Sequence, residues 1–583
     1  MSHNTTDRLS LAFELFLLAI TVVVARLIYW QLIKGGELKI QAAEQHAKQS
    51  SVEPKRGTIK TADGYPLVFT TPTYSVVEYK PQLKDTATKI TDSILPLLNF
   101  EIKDPVIATD PAQVATKIKE LQDSTRLDML DKLNTKNWAI LAKGVTIDEK
   151  QQIENLKFPG IAFEESFVRG YPEASMSAHV IGFVGKDDMD APTGYFGLEG
   201  FYNRELSGRV GLEKEDKDAS GNPLLISTFR KLSGREGRDL TLNMERSVQH
   251  IVESELAAAL VRYGASAGEV IVMDPNTGGI LAMASLPNYQ GDRFGYYDTS
   301  LYKNPSIANS YEPGSTFKVL VAAAAFNEGA ITKDDKCDIC GGPLPIDKYF
   351  IKTWDGTYRP GATPEDIIVH SDNTGMVWMQ RKLGGEKMVD YLTKFGIGQK
   401  TGIDLQEEVA PPFRSKWGEI DYATSSFGQG IAVTSIQMIT AVSAIANGGK
   451  LMEPHVVKSV GGDKGLEVVP KVIRTVISPD AATEVKDLMV AAVEKGEAQW
   501  TKIKGYKVAG KTGTAQIAVD GYYDAEKTIA SFVGFAPADN PRFVMITKLR
   551  EPTTSIWGSE TAAPLFFKIA RRLFLHYNIA PTQ

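Results

Sequence analysis

The stretch from Leu9 to Trp30 constrains this chain more than any other, because it is mostly apolar and its centre, Leu15 to Ala25, carries no charge. At 1.5 Å per residue a helix here is about 33 Å long, enough to cross a bilayer. Glu14 and Arg26 sit near its ends, where a charged head reaches the interface, and Tyr29-Trp30 suit the headgroup belt. A cleaved signal peptide would have a shorter apolar core followed by a small-x-small site. No such site follows Ala25, so an uncleaved anchor over 9–30 with a short tail, 1–8, is expected. Orientation is not decided by charge: Arg8 on one side faces Arg26, Lys34 and Lys39 on the other. The rest of the 583 residues must fold in water and is too long for one core, so several domains are expected. A net charge of -6 leaves no basic footprint, and a nucleic-acid partner is not expected.

After the anchor, Gly36 to Ser51 is polar and helix-prone and reads as a stalk. Arg56 to Ile59 and Asp63-Gly64-Tyr65-Pro66-Leu67 read as a strand, an Asp-Gly turn and a returning strand. Val114, Ile118 and Leu121 have helical spacing, as do Ile153 and Leu156. A turn-rich block runs from Phe167 to Gly200, and within it His179 in an apolar run reads as a satisfied structural histidine. The Gly-rich, charged run Leu212 to Gly237 reads as linker and hairpin, which puts a domain boundary at 237/238. Beyond it come a strand at Asp239 to Leu242, a helix at Met244 to Tyr263, and strands at Gly268 to Asp274 and Ile280 to Ala284 around a Pro-Asn-Thr-Gly-Gly turn. This order predicts an α/β sandwich, an antiparallel sheet with helical layers. No nucleotide phosphate loop is present. Cys337 and Cys340 are the only cysteines and read as a local disulfide or two free thiols; with no second pair and few histidines, a zinc site is not expected.

The chemistry centres on Tyr311-Glu312-Pro313-Gly314-Ser315-Thr316-Phe317-Lys318, where a Pro-Gly turn delivers Ser315 to the start of an apolar helix ending before Gly329. Positions i and i+3 share a helix face, which brings Lys318 alongside Ser315. A lysine whose pKa is depressed by burial and a second cation can take the serine's proton. Downstream stand Ser371-Asp372-Asn373 and Lys511-Thr512-Gly513-Thr514, the latter expected on a strand whose glycine allows close approach of a substrate backbone. In this order the three motifs resemble the set shared by class A β-lactamases and penicillin-binding proteins. The resemblance, read with the needs of acyl transfer from an amide, implies Ser315 as nucleophile and Lys318 as base. It implies Ser371 as proton relay to the leaving nitrogen, Asn373 holding the substrate amide and Lys511 keeping the site positive. Thr512 and Thr514 would bind a terminal carboxylate beside Gly513, and the backbone N–H groups of Ser315 and Thr514 would form the oxyanion hole. No metal or cofactor is implied.

Over nearly its whole length the chain resembles a class B penicillin-binding protein, a membrane-anchored peptidoglycan DD-transpeptidase. Arg56-Gly57 with Asp63-Gly64, Arg169 with Tyr171-Pro172, His179 with Gly182, and Gly197-Leu198-Glu199 resemble its pedestal motifs. Glu312 to Ser315, Phe427-Gly428-Gln429-Gly430 and Lys511 to Thr514 resemble those of its catalytic domain. Phe395 to Gly398, Thr401 to Leu405 and Ala446-Asn447-Gly448-Gly449 look most like the division-specific subgroup. One departure is Ala62 where the pedestal usually has an arginine beside its aspartate, which puts that local salt bridge in doubt. The resemblance implies an elongated mixed α/β pedestal, 31–237, and a transpeptidase domain, 238–583, like the serine β-lactamases; as a second departure, the chain stops at Gln583 soon after that domain, and no appended repeats are expected. It implies a cytoplasmic N-terminus in the cell membrane and a catalytic domain outside. Stem peptides would be the substrate, β-lactams covalent inhibitors, and a SEDS-type glycan polymerase and division proteins the partners. A DD-carboxypeptidase or an elongation-specific transpeptidase is the alternative reading. A β-lactamase would need a deacylating Glu-x-x-x-Asn loop, and Glu407-Glu408-Val409-Ala410-Pro411 lacks the asparagine. A β-lactam sensor or scaffold with a decayed site would have lost motif residues that are all present.

Overall fold

A computed structural model of the chain describes residues 4–38, 47–52, 54–216, 230–232, 234–462, 465–519 and 522–581. They fall into two units, Met1–Lys55 with Gly208–Gly237, and Arg56–Ser207 with Arg238–Gln583. In the first unit, α1 (Asn4–Ile28) continues as a π-helical turn, Tyr29–Ile33. Leu9–Ile33 has a mean hydropathy of 2.4 and no residue of its apolar window is buried in protein, so its apolar faces match a lipid surround. The same unit has a three-stranded antiparallel sheet in which Gly211–Asp216 lies between Ala47–Val52 and Arg230–Leu232. The end of the expected stalk is therefore a strand: pairing with a distant segment overrides local helix propensity. The rest of that stalk, 39–46, and most of the expected linker, 217–229 and 233, lie outside the described residues.

In the second unit the long strand Pro66–Tyr79 pairs antiparallel with Ile59–Lys60, Trp138–Val145 and Ile161–Gly170. The helix Pro111–Thr135 starts on an Asp110 cap and buries Met129 and Leu133 against Val76, Leu141 and Val145. Three segments far apart in sequence meet at Glu199, which is fully buried. Arg56 Nε donates to its Oε2 at 2.7 Å and Arg169 Nε to its Oε1 at 2.8 Å, and Arg169 also donates to the Gly57 carbonyl. Burial would raise the Glu199 pKa, but Arg169 and Arg56 outweigh it and hold the carboxyl below its ordinary value. At the departure from the family pattern, Asp63 accepts the Arg246 backbone N–H while the Arg246 guanidinium pairs with Glu173. His179 is buried against Tyr289 and bonded to the Leu301 carbonyl, and burial pushes its pKa down to about 4, so it stays neutral. Leu240–Leu242 pairs parallel with Ile59–Lys60 and antiparallel with Val457–Val460, so one sheet carries strands from both sides of residue 237.

The main sheet of the C-terminal part is fully antiparallel, with β1 (Ala267–Met273), β2 (Ile280–Leu286), β3 (Ala509–Val519), β4 (Tyr522–Ala536) and β5 (Phe543–Arg550) in the order β2-β1-β5-β4-β3. Both faces are covered, which explains why Val270 to Met273 in β1 run continuously apolar rather than alternating. Val270 and Val272 join the core with α2 (Arg246–Tyr263), while Ile271 and Met273 join the core with α3 (Lys318–Asn327), α4 (Asn373–Leu383), α5 (Ser435–Ala446) and α6 (Pro479–Lys495). The C-terminal helix α7 (Ala562–His576) joins the same core as α2, with Phe566 against Phe532 of β4 and Phe574 against Phe543 of β5. The expected antiparallel sheet between helical layers is the observed one. Cys337 and Cys340 form a buried disulfide in a loop.

Candidate active site

Ser315 sits on a 3-10 turn, Gly314–Phe317, that runs straight into α3. Lys318 to Ala325 are all buried, so α3 is a core helix with its first turn at the surface of a cleft. The turn is pinned from outside where Gly314 N donates to the Gly428 carbonyl at 3.0 Å, and closed locally where Thr316 Oγ1 donates to the Pro313 carbonyl at 2.7 Å. Gly428, at φ 80°, is held to glycine by contact as well as conformation, since a Cβ there would lie 2.2 Å from the Gly314 oxygen.

Ser371 and Asn373 flank the N-cap of α4. Between them, buried Asp372 turns its carboxylate onto the helix end, where Oδ1 accepts from Thr374 N at 2.8 Å and Gly375 N at 3.2 Å. Ser371 adopts φ 56°, a left-handed conformation that costs a non-glycine residue about 1 kcal/mol. Lys318 Nζ donates to the Ser371 carbonyl at 2.6 Å, to Ser371 Oγ at 3.2 Å and to Asn373 Oδ1 at 2.8 Å. Ser371 Oγ in turn donates to Ser315 Oγ at 2.9 Å. The expected pairing of lysine and serine along one helix face thus takes another form: the Ser371 hydroxyl stands between them, and among the described residues no hydrogen bond joins Lys318 to Ser315. Burial, then the charge of Lys511, hold the Lys318 pKa well below the ordinary amine value, with Asp372 and Glu497 opposing.

Lys511 to Thr514 lie on β3, the edge strand, whose outward N–H groups have no sheet partner among the described residues. Lys511 is buried, which lowers its pKa against the opposing charge of Glu497, and its Nζ donates to Thr512 Oγ1 at 3.1 Å. Thr514 Oγ1 accepts the Gly558 N–H at 2.9 Å. The close approach that Gly513 permits is mainly internal: a Cβ would lie 2.8 Å from Thr316 Cγ2, 2.6 Å from Ser531 Oγ and 3.0 Å from the Pro313 oxygen, so glycine lets β3 pack on the nucleophile turn.

A cleft of about 300 Å³ brings Ser315, Ser371, Asn373, Thr512, Gly513 and Thr514 together, while Lys318 and Lys511 lie beneath its wall. Glu497, Trp354 and Trp557 also line it, the two tryptophans meeting edge-to-face at 5.2 Å. None of these three belongs to a motif of the sequence. They stand in loops, and only Glu497 carried a usable signal, a charge shortly before Lys511. Among the described residues no three His, Cys, Asp or Glu side chains converge as a metal site would.

Comparison with known proteins matches residues 268–571 to the penicillin binding protein transpeptidase domain and residues 51–242 to the penicillin-binding protein dimerisation domain. Stage V sporulation protein D of Bacillus subtilis is 30% identical over 100% of this chain and 88% of its own length. The probable peptidoglycan D,D-transpeptidase PenA of Neisseria meningitidis is 28% identical over 97% of this chain and 93% of its own. Among solved structures, penicillin binding protein 2X from Streptococcus thermophilus superposes with a TM-score of 0.74 at 23% identity, covering 92% of this chain and 81% of that one, a likeness of fold.

Proposed function

We propose, for a chain that belongs to the class B penicillin-binding proteins and is a serine D-Ala-D-Ala transpeptidase, that it cross-links peptidoglycan stem peptides in septal wall synthesis through an acyl-enzyme on Ser315. The observation that carries the assignment of roles is the chain of contacts from Ser315 Oγ through Ser371 Oγ to Lys318 Nζ. Ser315 attacks the carbonyl of the penultimate D-alanine while its proton passes through Ser371 to the neutral Lys318 amine. The carbonyl oxygen gathers negative charge against the backbone N–H groups of Ser315 and Thr514, at a helix start and a sheet edge. Ser371 returns a proton to the departing nitrogen, the last D-alanine leaves, and an amine from a neighbouring strand resolves the ester. Asn373 holds the substrate amide, Lys511 keeps the floor positive, and Thr514 receives the terminal carboxylate; the Thr512 hydroxyl expected to share it is turned to Glu497 instead. A β-lactam enters as the same amide with its leaving nitrogen tethered, so the acyl-enzyme persists.

The septal role is supported by Phe395 to Leu405 and Ala446 to Gly449, which resemble the division-specific subgroup. The same resemblance supports a cytoplasmic tail, 1–8, an anchor at 9–30, a pedestal over 31–237 and an external catalytic domain over 238–583, with a SEDS-type polymerase and division proteins as partners. A fluorescent penicillin should label the full chain covalently, and mass spectrometry should place the adduct on Ser315. Equal labelling of a Ser315→Ala variant would remove Ser315 as the nucleophile.

A further inference from the structure

Glu497 is the ionisable residue of the cleft that acyl transfer leaves without a role. It follows Gly496 at the end of α6 and is half-buried in the cleft wall. Its Oε2 accepts the Thr512 O–H at 3.3 Å, while Thr512 Oγ1 accepts from Lys511 at 3.1 Å. A threonine hydroxyl has one proton, and with that proton turned to Glu497 none is left for a substrate carboxylate. Thr514 differs, because its oxygen accepts the Gly558 N–H and, among the described residues, its own proton has no acceptor and can be donated. Glu497 also sets a negative charge beside the buried Lys511, offsetting the attraction this end of the cleft would otherwise offer an anion.

The amine that leaves in the first half-reaction and the amine that attacks in the second bond to the same carbonyl carbon, so both pass through this end of the cleft. D-Alanine carries a carboxylate on the carbon next to its nitrogen. We propose that Glu497 is a specificity-determining residue for the second half-reaction, disfavouring amines with a carboxylate on the adjacent carbon and favouring those whose adjacent carbon is uncharged. In that step the amine nitrogen forms an amide bond to the acyl carbonyl, the ester bond to Ser315 Oγ breaks, and one amine proton goes to Ser315 Oγ. The released D-alanine is then a poor nucleophile for the reverse reaction. The inference rests on the acyl-transfer reading above.

The test is a competition. Full-length enzyme in detergent is acylated with an N-acyl-D-alanyl thioester, and the product ratio is measured with D-alanine and D-alaninamide as competing acceptors. Intrinsic amine reactivity is common to every enzyme compared, so the diagnostic quantity is the change in ratio on substitution, which is also insensitive to a partly unfolded fraction. Glu497→Gln and Glu497→Thr should each move the ratio towards D-alanine by on the order of tenfold, and added salt should move the unsubstituted enzyme the same way by less. An unchanged ratio in both variants, or a shift towards D-alaninamide, overturns the role of Glu497 while leaving acyl transfer intact. Failure of the unsubstituted enzyme to form the Ser315 ester overturns both.

Discussion

Lys318 shows how burial shapes a single residue. Its side chain is fully enclosed, and its ammonium has three acceptors but sits beside a second buried lysine, so the neutral amine is favoured at lower pH than in water. Acylation by a penicillin should therefore rise with pH through the depressed Lys318 pKa, reaching its plateau below the ordinary lysine range of about 10.4. Stability carries the same signature. Between the folded pKa and the unfolded value the unfolded chain binds the extra proton, so stability rises with pH across that window. A Lys318→Met variant should lose acylation by at least about a thousandfold and flatten that rise in a melting series. Seen as a charge at the edge of a site, Lys318 would be expected to tolerate alanine without harm to the fold. Its enclosure reverses that expectation, because alanine leaves a cavity and strands the Ser371 carbonyl and the Asn373 amide; methionine fills the volume.

Among elements, the nucleophile turn depends on how closely its neighbours approach. The Phe427 to Gly430 loop and β3 both press on it through glycines, one against Gly314 and the other against Thr316 and Pro313. Gly428→Ala should cost at least about 2 kcal/mol and lower the penicillin acylation rate tenfold or more, because left-handed strain and a clash with backbone act together. Gly329 has a similar positive φ of 63° but open space around its Cβ position. Gly329→Ala should cost about 1 kcal/mol and leave acylation unchanged. Thermal melts and labelling rates on the two variants separate strain from contact, and equal rates would show that the contact with Gly314 is not needed to place Ser315. The core helix α3 and the strands β1 and β2 were legible from apolar runs, whereas the tight contacts were not, since a glycine in sequence does not announce what lies opposite it.

Across the molecule, Glu199 joins parts of the chain that periodicity alone treats as separate. Removing the charge leaves Arg56 and Arg169 facing one another in a buried site, and breaking such a pair costs about 3–5 kcal/mol. Glu199→Gln should lower the melting temperature by about 5 °C or more, while the folded fraction keeps its penicillin acylation rate, measured by labelling at low temperature. A coupled fall in that rate would mean the clamp also shapes the catalytic cleft. The strand Leu240–Leu242 makes the same point for topology: a boundary at 237/238 follows composition, yet the next strand adds directly to the sheet of Ile59–Lys60.

The residues alone determined the apolar N-terminal helix, the layered α/β class and the candidate serine, because these rest on hydropathy, periodicity and spacing within short windows. The three motifs became a catalytic set through their resemblance to a family. Tertiary structure decided that Ser371 stands between Ser315 and Lys318, that the Thr512 hydroxyl is engaged by Glu497, and that Gly513 serves the packing of β3. Each of these is a distance of about 3 Å between groups remote in sequence, and hydrogen bonds and steric contacts act only at that range. A pattern of residue types names the groups; only the folded backbone brings them within reach.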